Sequence, residues 1–157
     1  MTTTASTKPV VTKTRAVWHG EHRFDAGPEG RTALVDADSK TAPGPVETLL
    51  NACATCSGVD ILDILAKRRT PAKRFVVDVT ATRRSDPPRR VQRLEIEFQI
   101  DGAGITVEDA ERAIQLSFEK YCSVAASLAP DIAAETTLVL NGARQRAQAR
   151  TIWSAKD

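Results

Sequence analysis

The residues of this chain whose chemistry stands out are its three cysteines. Cys53 and Cys56 lie close together in the apolar stretch ETLLNACATCSGVDILDIL, and Cys122 lies much later, in EKYCSVA. Thiols in such settings are buried hydrophobes, metal ligands or redox-active groups. An odd number of cysteines is unsuited to the fully paired framework of a secreted protein, so we expect a reducing compartment, the cytoplasm.

The residues around the thiols favour some of these interpretations over others. For Cys53 alone, a small buried hydrophobe is favoured. A thioredoxin-like CxxC is disfavoured because that motif occupies a helix N-terminus, and because two helical residues three apart form a disulfide only with strain. A zinc site would have to add Cys122 and His19 or His22 to the pair, and a CxxC inside a helix is not the turn that structural zinc usually recruits.

Two carboxylates share the cysteine-bearing face of this stretch. At about 100° per residue, Cys53, Cys56, Asp60 and Asp63 fall within one stripe of a helix, whereas Glu47 lies nearly opposite Cys56. Asp60, one turn beyond Cys56, would oppose a thiolate there unless a cation neutralises it. Glu47 is therefore a poor partner for Cys56 within its own helix.

The strands and helices that position these groups are predicted from the period of the apolar residues and from the glycines and prolines that interrupt it. Strands are predicted at residues 10–18, around Phe24, at 31–35, 74–84 and 91–100, and at 136–140. Helices are predicted from Pro45 to about residues 67–69, from a Thr106 capping box with Asp109 to Tyr121, and after a Ser123 cap. Cys122 then lies at a helix junction, where backbone N–H groups could stabilise its thiolate.

The long helix is apolar on nearly every side, which is typical of a helix surrounded by protein. Its length of about 35 Å matches the width of a domain of this size, so one chain can hardly cover it alone. Because it contains Glu47, Asp60 and Asp63, we expect it not to be a membrane span.

The remaining composition favours a single domain without nucleic-acid partners. The formal net charge is +2, and the basic residues are dispersed apart from clusters in predicted turns and the tail. No secretory signal is visible at the start. We expect a disordered head at residues 1–9, one domain at 10–141, and a basic C-terminal tail at 142–157.

Two motifs of this sequence, in their order along the chain, resemble those of the OsmC/Ohr family, the osmotically inducible and organic hydroperoxide resistance proteins. They are GPVETLLNACATCSGVDILDIL and EKYCSVAASL, and the similarity extends from about residue 17 to residue 140. The resemblance implies an OsmC-like α+β fold in which two chains intertwine as a homodimer, with long central helices wrapped by antiparallel β-sheets.

The resemblance also implies a thiol peroxidase of oxidative stress defence. Cys56 would attack an organic hydroperoxide, Cys122 would resolve the resulting sulfenic acid, and a dithiol reductant would restore the pair without a cofactor. In the hydroperoxide-resistance branch, a glutamate directly after the proline pairs with an arginine to hold the first cysteine ready. Here that position is Val46, Glu47 is adjacent, and Arg23 is the candidate arginine. The alternative is a non-enzymatic dimer that binds an apolar ligand or partner at the inter-chain cleft.

Overall fold

The computed structural model describes residues 8–152. Residues 1–7 of the predicted disordered head and residues 153–157 of the predicted tail lie outside the described residues. The chain forms two compact units, Met1–Thr48 and Leu49–Asp157.

The first unit is built on a small antiparallel sheet. Its strands are β1 (Arg15–Trp18), β2 (Arg23–Gly27) and β3 (Ala33–Asp36), in the order β1-β2-β3. The register places Trp18 opposite Phe24 and Arg23 opposite Asp36. All three predicted strands are confirmed, although the first is shorter than the β-branched run that begins at Val10.

Asp36, at the end of β3, organises the loop that follows. Its carboxylate accepts the backbone N–H groups of Asp38 (3.0 Å), Lys40 (3.2 Å) and Thr41 (3.0 Å), and also the Thr41 hydroxyl (2.8 Å). The bonds from Thr41, the largest cause, hold the pKa of Asp36 at about 2, below its ordinary 3.8. One buried carboxylate therefore fixes the loop before the long helix.

We expect Asp36→Ala to lower the midpoint of thermal unfolding by several degrees at pH 7, because three backbone donors lose their acceptor. Since the folded-state pKa is depressed, this advantage of the wild type is present above about pH 4 and is lost as the pH falls through about 2. Circular dichroism melts at both ends of that range test this, with the exposed Glu29→Gln as a control. An equal gap between wild type and variant at both pH values would contradict it.

The long helix, α1, extends over Pro45–Lys67, as predicted. Pro45 occupies its first position, where the missing N–H leaves no bond unmade. The Glu47 carboxylate reaches back to the N–H of Gly44 at 2.6 Å, as the acidic member of a capping box does. The Gly44 bond is the main cause that lowers the pKa of Glu47.

Within the described residues, α1 is long and apolar enough to cross a membrane by length and composition alone. The core helix of a soluble protein passes the same test, so its three carboxylates do not decide the question. Only 28% of its most apolar stretch is buried within the chain. Leu49 and Val59 are 41% and 55% exposed.

The second unit contains a five-stranded sheet. β4 (Arg74–Arg83) and β5 (Val91–Asp101) form the predicted antiparallel hairpin, and β6 (Ala133–Leu140) lies beside β5. The predicted basic tail supplies two short strands on β6, namely β7 (Ala143–Arg144) and β8 (Gln148–Arg150).

The pairing of β5 with β6 is parallel, which corrects the expectation of purely antiparallel sheets. The chain leaves β5, crosses over through the helical segment and enters β6 in the same direction, as parallel neighbours require. On the buried face of these two strands, alternate residues form the core: Leu94, Ile96, Phe98, Ile100, Ala134, Thr136, Leu138 and Leu140.

The crossover comprises α2 (Val107–Leu116), a π-helical turn (Ser117–Tyr121) and α3 (Ser123–Ala126). The predicted cap of α2 is confirmed, since the Thr106 hydroxyl accepts the N–H of Asp109 at 3.1 Å. The buried side chains of α2 are Ala110, Ala113 and Ile114. The π-helical turn lies directly before Cys122 and is wider than an α-helical turn. A regular helical pattern does not predict it.

Candidate active site

α1 presents its two cysteines to different environments. The buried residues of α1 include a stripe with a spacing of four, namely Cys53, Ser57, Ile61 and Leu65. Cys53 is 1% exposed, whereas Cys56, on the flank of the stripe, is half-buried. Of these two thiols, Cys56 is the one that a solute can reach.

The π-helical turn fixes the position of Cys122. Its N–H donates to the Ser117 carbonyl at 2.8 Å, and its sulfur accepts the N–H of Ala125 at 3.3 Å. Cys122 is therefore itself the N-cap of α3, and the prediction that Ser123 caps this helix was wrong because the helix begins one residue earlier. The thiol is 2% exposed.

Cys56 and Cys122 lie near enough to one another for Cys56 to influence the pKa of Cys122. Burial is the main cause that raises the pKa of Cys122 to about 12; the Ala125 N–H opposes this rise, and the contact with Cys56 adds to it. Burial likewise raises the pKa of Cys53 to about 11. The arrangement thus pairs an accessible thiol with a buried one that stays protonated at neutral pH.

A second link joins α1 to the turn. The Ser117 hydroxyl donates to the Asp60 carboxylate at 2.9 Å and lies 3.5 Å from the Ser57 carbonyl. Burial is the main cause that raises the pKa of Asp60; the Ser117 bond opposes it and the nearby Asp63 adds to it. Asp60 therefore holds the turn that carries Cys122 against the helix that carries Cys56.

We expect Asp60→Asn to raise the rate at which Cys56 is alkylated at neutral pH by about three- to tenfold, because a negative charge one helical turn away opposes the thiolate. Asparagine keeps an oxygen that can accept the Ser117 hydroxyl. The rate of carbamidomethylation of Cys56 by iodoacetamide, followed by mass spectrometry, measures this. The exposed Asp63→Asn, two turns from Cys56, serves as the matched control. A rate unchanged or lowered in Asp60→Asn would contradict the expectation.

A cavity of about 340 Å³ opens beside Asp60. Its lining combines two carboxylates, two cations and apolar side chains: Asp60, Asp63, Ile64, Lys67, Arg68, Leu116 and Tyr121. Arg68 also pairs with Asp109. Two cations, Lys67 and Arg68, thus line the same cavity as Asp60, but neither is among the causes that set the pKa of Asp60.

The other predicted site residues lie in the first unit. Glu47 is engaged in the helix cap described above. Arg23 pairs with Glu21 at 2.9 Å, and its buried Nε has no hydrogen-bond partner among the described residues. A catalytic role for either residue stays a prediction.

The zinc hypothesis gains no support from the described part of the chain, where no three histidines, cysteines or acids are grouped to hold a metal ion. His19 lies 3.3 Å from Asp25, and His22 lies 3.0 Å from Asp38. These histidines are accounted for as exposed members of local pairs.

Ser117 and Tyr121 are the site residues that the sequence did not single out. Both lie in the π-helical turn, five residues and one residue before Cys122. Regular helical spacing, read from Thr106, assigns them to the flank of a continuous α-helix. Their nearness to the second cysteine was the only signal available.

The described chain has clear relatives. A family model for OsmC-like proteins matches residues 37–137, which include all three cysteines. The protein YhfA of Escherichia coli K12 is 37% identical over 100 residues, covering 63% of this chain and 75% of that protein.

Solved structures show the same fold. A hypothetical protein from Aquifex aeolicus VF5 aligns with a TM-score of 0.77 and 26% identity over 84% of this chain and 97% of that one. An organic hydroperoxide resistance protein OsmC from Legionella pneumophila, described as a predicted redox protein, aligns with a TM-score of 0.58 and 13% identity over 84% and 98%. At 13% identity, the second likeness concerns the fold alone.

Proposed function

The chain belongs to the family of OsmC-like proteins, and from this membership we propose that it is a cytoplasmic thiol peroxidase that reduces organic hydroperoxides in oxidative stress defence. The observation that carries the proposal is the Ser117–Asp60 hydrogen bond, which joins the helix of the half-buried Cys56 to the turn that ends at the buried Cys122. The Legionella protein of the same fold, whose name refers to organic hydroperoxide resistance, supports the choice of substrate.

In the proposed cycle, the Cys56 thiolate attacks one oxygen of ROOH, the O–O bond breaks, and ROH leaves after taking up a proton. Cys56 is then a sulfenic acid. Cys122 condenses with it, forming the disulfide and releasing water. A dithiol reductant regenerates both thiols by exchange. The Ser117–Asp60 bond, which holds the turn of Cys122 against the helix of Cys56, supports the formation of this disulfide.

The cavity beside Asp60, which lies one helical turn after Cys56, supports an organic substrate. The cavity beside Asp60 has apolar walls contributed by Ile64, Leu116 and the ring of Tyr121. An alkyl group gains free energy from contact with such walls, whereas hydrogen peroxide offers no apolar surface to bury. We therefore propose that organic hydroperoxides are the preferred substrates.

The exposed apolar face of α1 supports a homodimer. An open groove of about 480 Å³ follows α1 and β4, with mainly apolar lining: Asn51, Ala54, Thr55, Gly58, Val59, Leu62, Phe75 and Val77. A monomer rarely leaves such a continuous apolar surface in water. A second copy of the chain, lying along the same face, would cover it.

Val59→Asp is expected to convert a dimer into a monomer at micromolar concentration, because it buries an unpaired charge in the interface. Sedimentation velocity of wild type and variant measures the mass directly. Thr82→Asp, on an exposed part of β4, is the matched control and should remain dimeric. A monomeric wild type, or a dimeric Val59→Asp variant, would contradict the homodimer.

The same groove supports a second candidate function, a non-enzymatic dimer that binds an apolar ligand. Val46, where the hydroperoxide-resistance branch has its acidic residue, favours this alternative. The two functions are distinguished by treating the wild type with one equivalent of tert-butyl hydroperoxide. The peroxidase forms a Cys56–Cys122 disulfide within the assay. The binding protein forms none and retains an extractable apolar molecule through purification.

A further inference from the structure

Cys53 is the thiol that the peroxidase cycle leaves unused. It lies one helical turn before Cys56 and is 1% exposed, on the core-facing stripe of α1. The next residue of that stripe, Ser57, donates its hydroxyl to the Cys53 carbonyl at 2.8 Å. Cys53 therefore faces the interior of the second unit, as Cys122 does.

The segments that carry the three thiols meet at one place in the second unit. The Ser57 carbonyl lies 3.5 Å from the Ser117 hydroxyl, and the Ser117 carbonyl accepts the N–H of Cys122 at 2.8 Å. The stripe that carries Cys53 thus meets the turn that carries Cys122. After burial, the smaller causes that raise the pKa of Cys122 include both Cys56 and Cys53, which is consistent with this meeting of the two segments.

We propose, on the premise of the function proposed above, that Cys53 exchanges with the Cys56–Cys122 disulfide and takes Cys122 as its own partner. The Cys53 thiolate attacks the sulfur of Cys122, so that the Cys53–Cys122 bond forms and the Cys56–Cys122 bond breaks. The electron pair leaves on the Cys56 sulfur, which takes up the proton that Cys53 lost. The exchange involves no net oxidation and no external reactant beyond the peroxide.

In stoichiometric terms, one thiol and one disulfide are present before and after the exchange, and only the position of the disulfide changes. The direction follows from solvation. Of the two thiols that could leave Cys122, Cys56 is half-buried and Cys53 is buried, so the leaving thiolate is better hydrated on Cys56. The exchange therefore places the charge on the accessible sulfur and the neutral disulfide in the core.

Geometry also selects this route over direct attack of Cys53 on the Cys56 sulfenic acid. Cys53 and Cys56 are three apart within a regular helix, a spacing that a disulfide joins only with strain. Cys122 belongs to a separate segment and carries no such restriction. Burial raises the pKa of Cys53 to about 11, so the exchange is slower than the formation of the first disulfide. The fixed position of Cys53 near the turn of Cys122 offsets part of this loss of rate.

The consequence is a chain that reacts with peroxide twice before it needs a reductant. Once the disulfide has moved to Cys53 and Cys122, Cys56 is a thiol again and can be oxidised to a second sulfenic acid. The buried disulfide is meanwhile shielded from an external dithiol. It becomes reducible when Cys56 attacks it and reverses the exchange.

The test uses the full-length wild type and Cys53→Ala, each treated with one and then two equivalents of tert-butyl hydroperoxide without reductant. At timed points the protein is denatured in acid and alkylated with N-ethylmaleimide. Trypsin leaves Cys53 and Cys56 together in the peptide of residues 41–67 and Cys122 in that of residues 121–144. Fragmentation between Cys53 and Cys56 then shows which is linked to Cys122 and which carries the alkyl group.

In the wild type we expect the Cys56–Cys122 species to form first and the Cys53–Cys122 species, with alkylated Cys56, to grow at its expense. The wild type should consume a second equivalent of peroxide that Cys53→Ala does not. If Cys53 is alkylated in every linked molecule, the exchange is overturned while the peroxidase proposal stands. If Cys56 is never oxidised, both are overturned. The peptide map of the wild type decides the matter even if Cys53→Ala folds poorly.

Discussion

Cys56→Ser is expected to lower the rate of organic hydroperoxide reduction by about 1,000-fold or more, because a serine hydroxyl does not ionise at neutral pH and is a far weaker nucleophile toward oxygen. The substitution removes one sulfur from a half-buried position, so the fold should be retained. Consumption of tert-butyl hydroperoxide with an excess dithiol reductant measures the effect.

Cys122→Ser is the matched control for this loss. It removes the buried partner but leaves the attacking thiol, so we expect a rapid first equivalent of peroxide to be consumed before turnover slows. Cys56→Ser should show no such first equivalent. A Cys56→Ser variant with wild-type turnover would mean that the chemistry does not begin at Cys56.

The rate at which the Cys56 sulfenic acid is resolved is expected to rise about tenfold for each pH unit, or about 100-fold between pH 7 and pH 9. The attacking species is the Cys122 thiolate, and burial raises the pKa of that thiol to about 12. The rate rises with pH because, at every pH below the folded-state pKa, raising the pH increases the fraction of Cys122 that is thiolate. An ordinary thiol with a pKa near 9 would approach its plateau at the upper end of this range.

Rapid mixing of wild type with a large excess of peroxide, followed by acid quenching and disulfide quantification, gives this rate. The sulfenic acid must form faster than it is resolved, which a high peroxide concentration ensures. Cys122→Ser, which lacks the resolving thiol, should form no disulfide between Cys56 and residue 122 at any pH. A plateau by pH 9 would show that Cys122 is ionised by surroundings other than those described here.

Local signals predicted the helices well because their determinants are close in sequence. Pro45 suits the first position of α1 because it lacks an N–H, and Thr106 caps α2 through a bond to a residue three positions later; both were identified correctly. The cap of α3 was misassigned to Ser123, since a serine is a more common cap than a cysteine. The sulfur of Cys122 takes that role here.

Features that depend on distant residues could not be predicted in the same way. The parallel pairing of β5 with β6 depends on how the crossover returns, and the strand β8 depends on contacts of Arg150 with Glu111 and Thr136. Neither leaves a periodic trace in its own segment.

The candidate site shows the same division. The stripe of Cys53, Cys56 and Asp60 follows from helical spacing, and the pairing of Cys56 with Cys122 was expected from the family resemblance. The bond between Ser117 and Asp60 joins residues far apart in sequence and depends on the π-helical turn. The hydrophobic period of the sequence does not reveal such a turn.

The most direct test of a peroxide-reactive Cys56 beside a resolving Cys122 is to trap the sulfenic acid. Cys122→Ser, treated with one equivalent of tert-butyl hydroperoxide in the presence of dimedone, should carry the adduct on Cys56 and on no other cysteine. An adduct on Cys53 instead, or peroxide consumption without any cysteine adduct, would contradict the assignment.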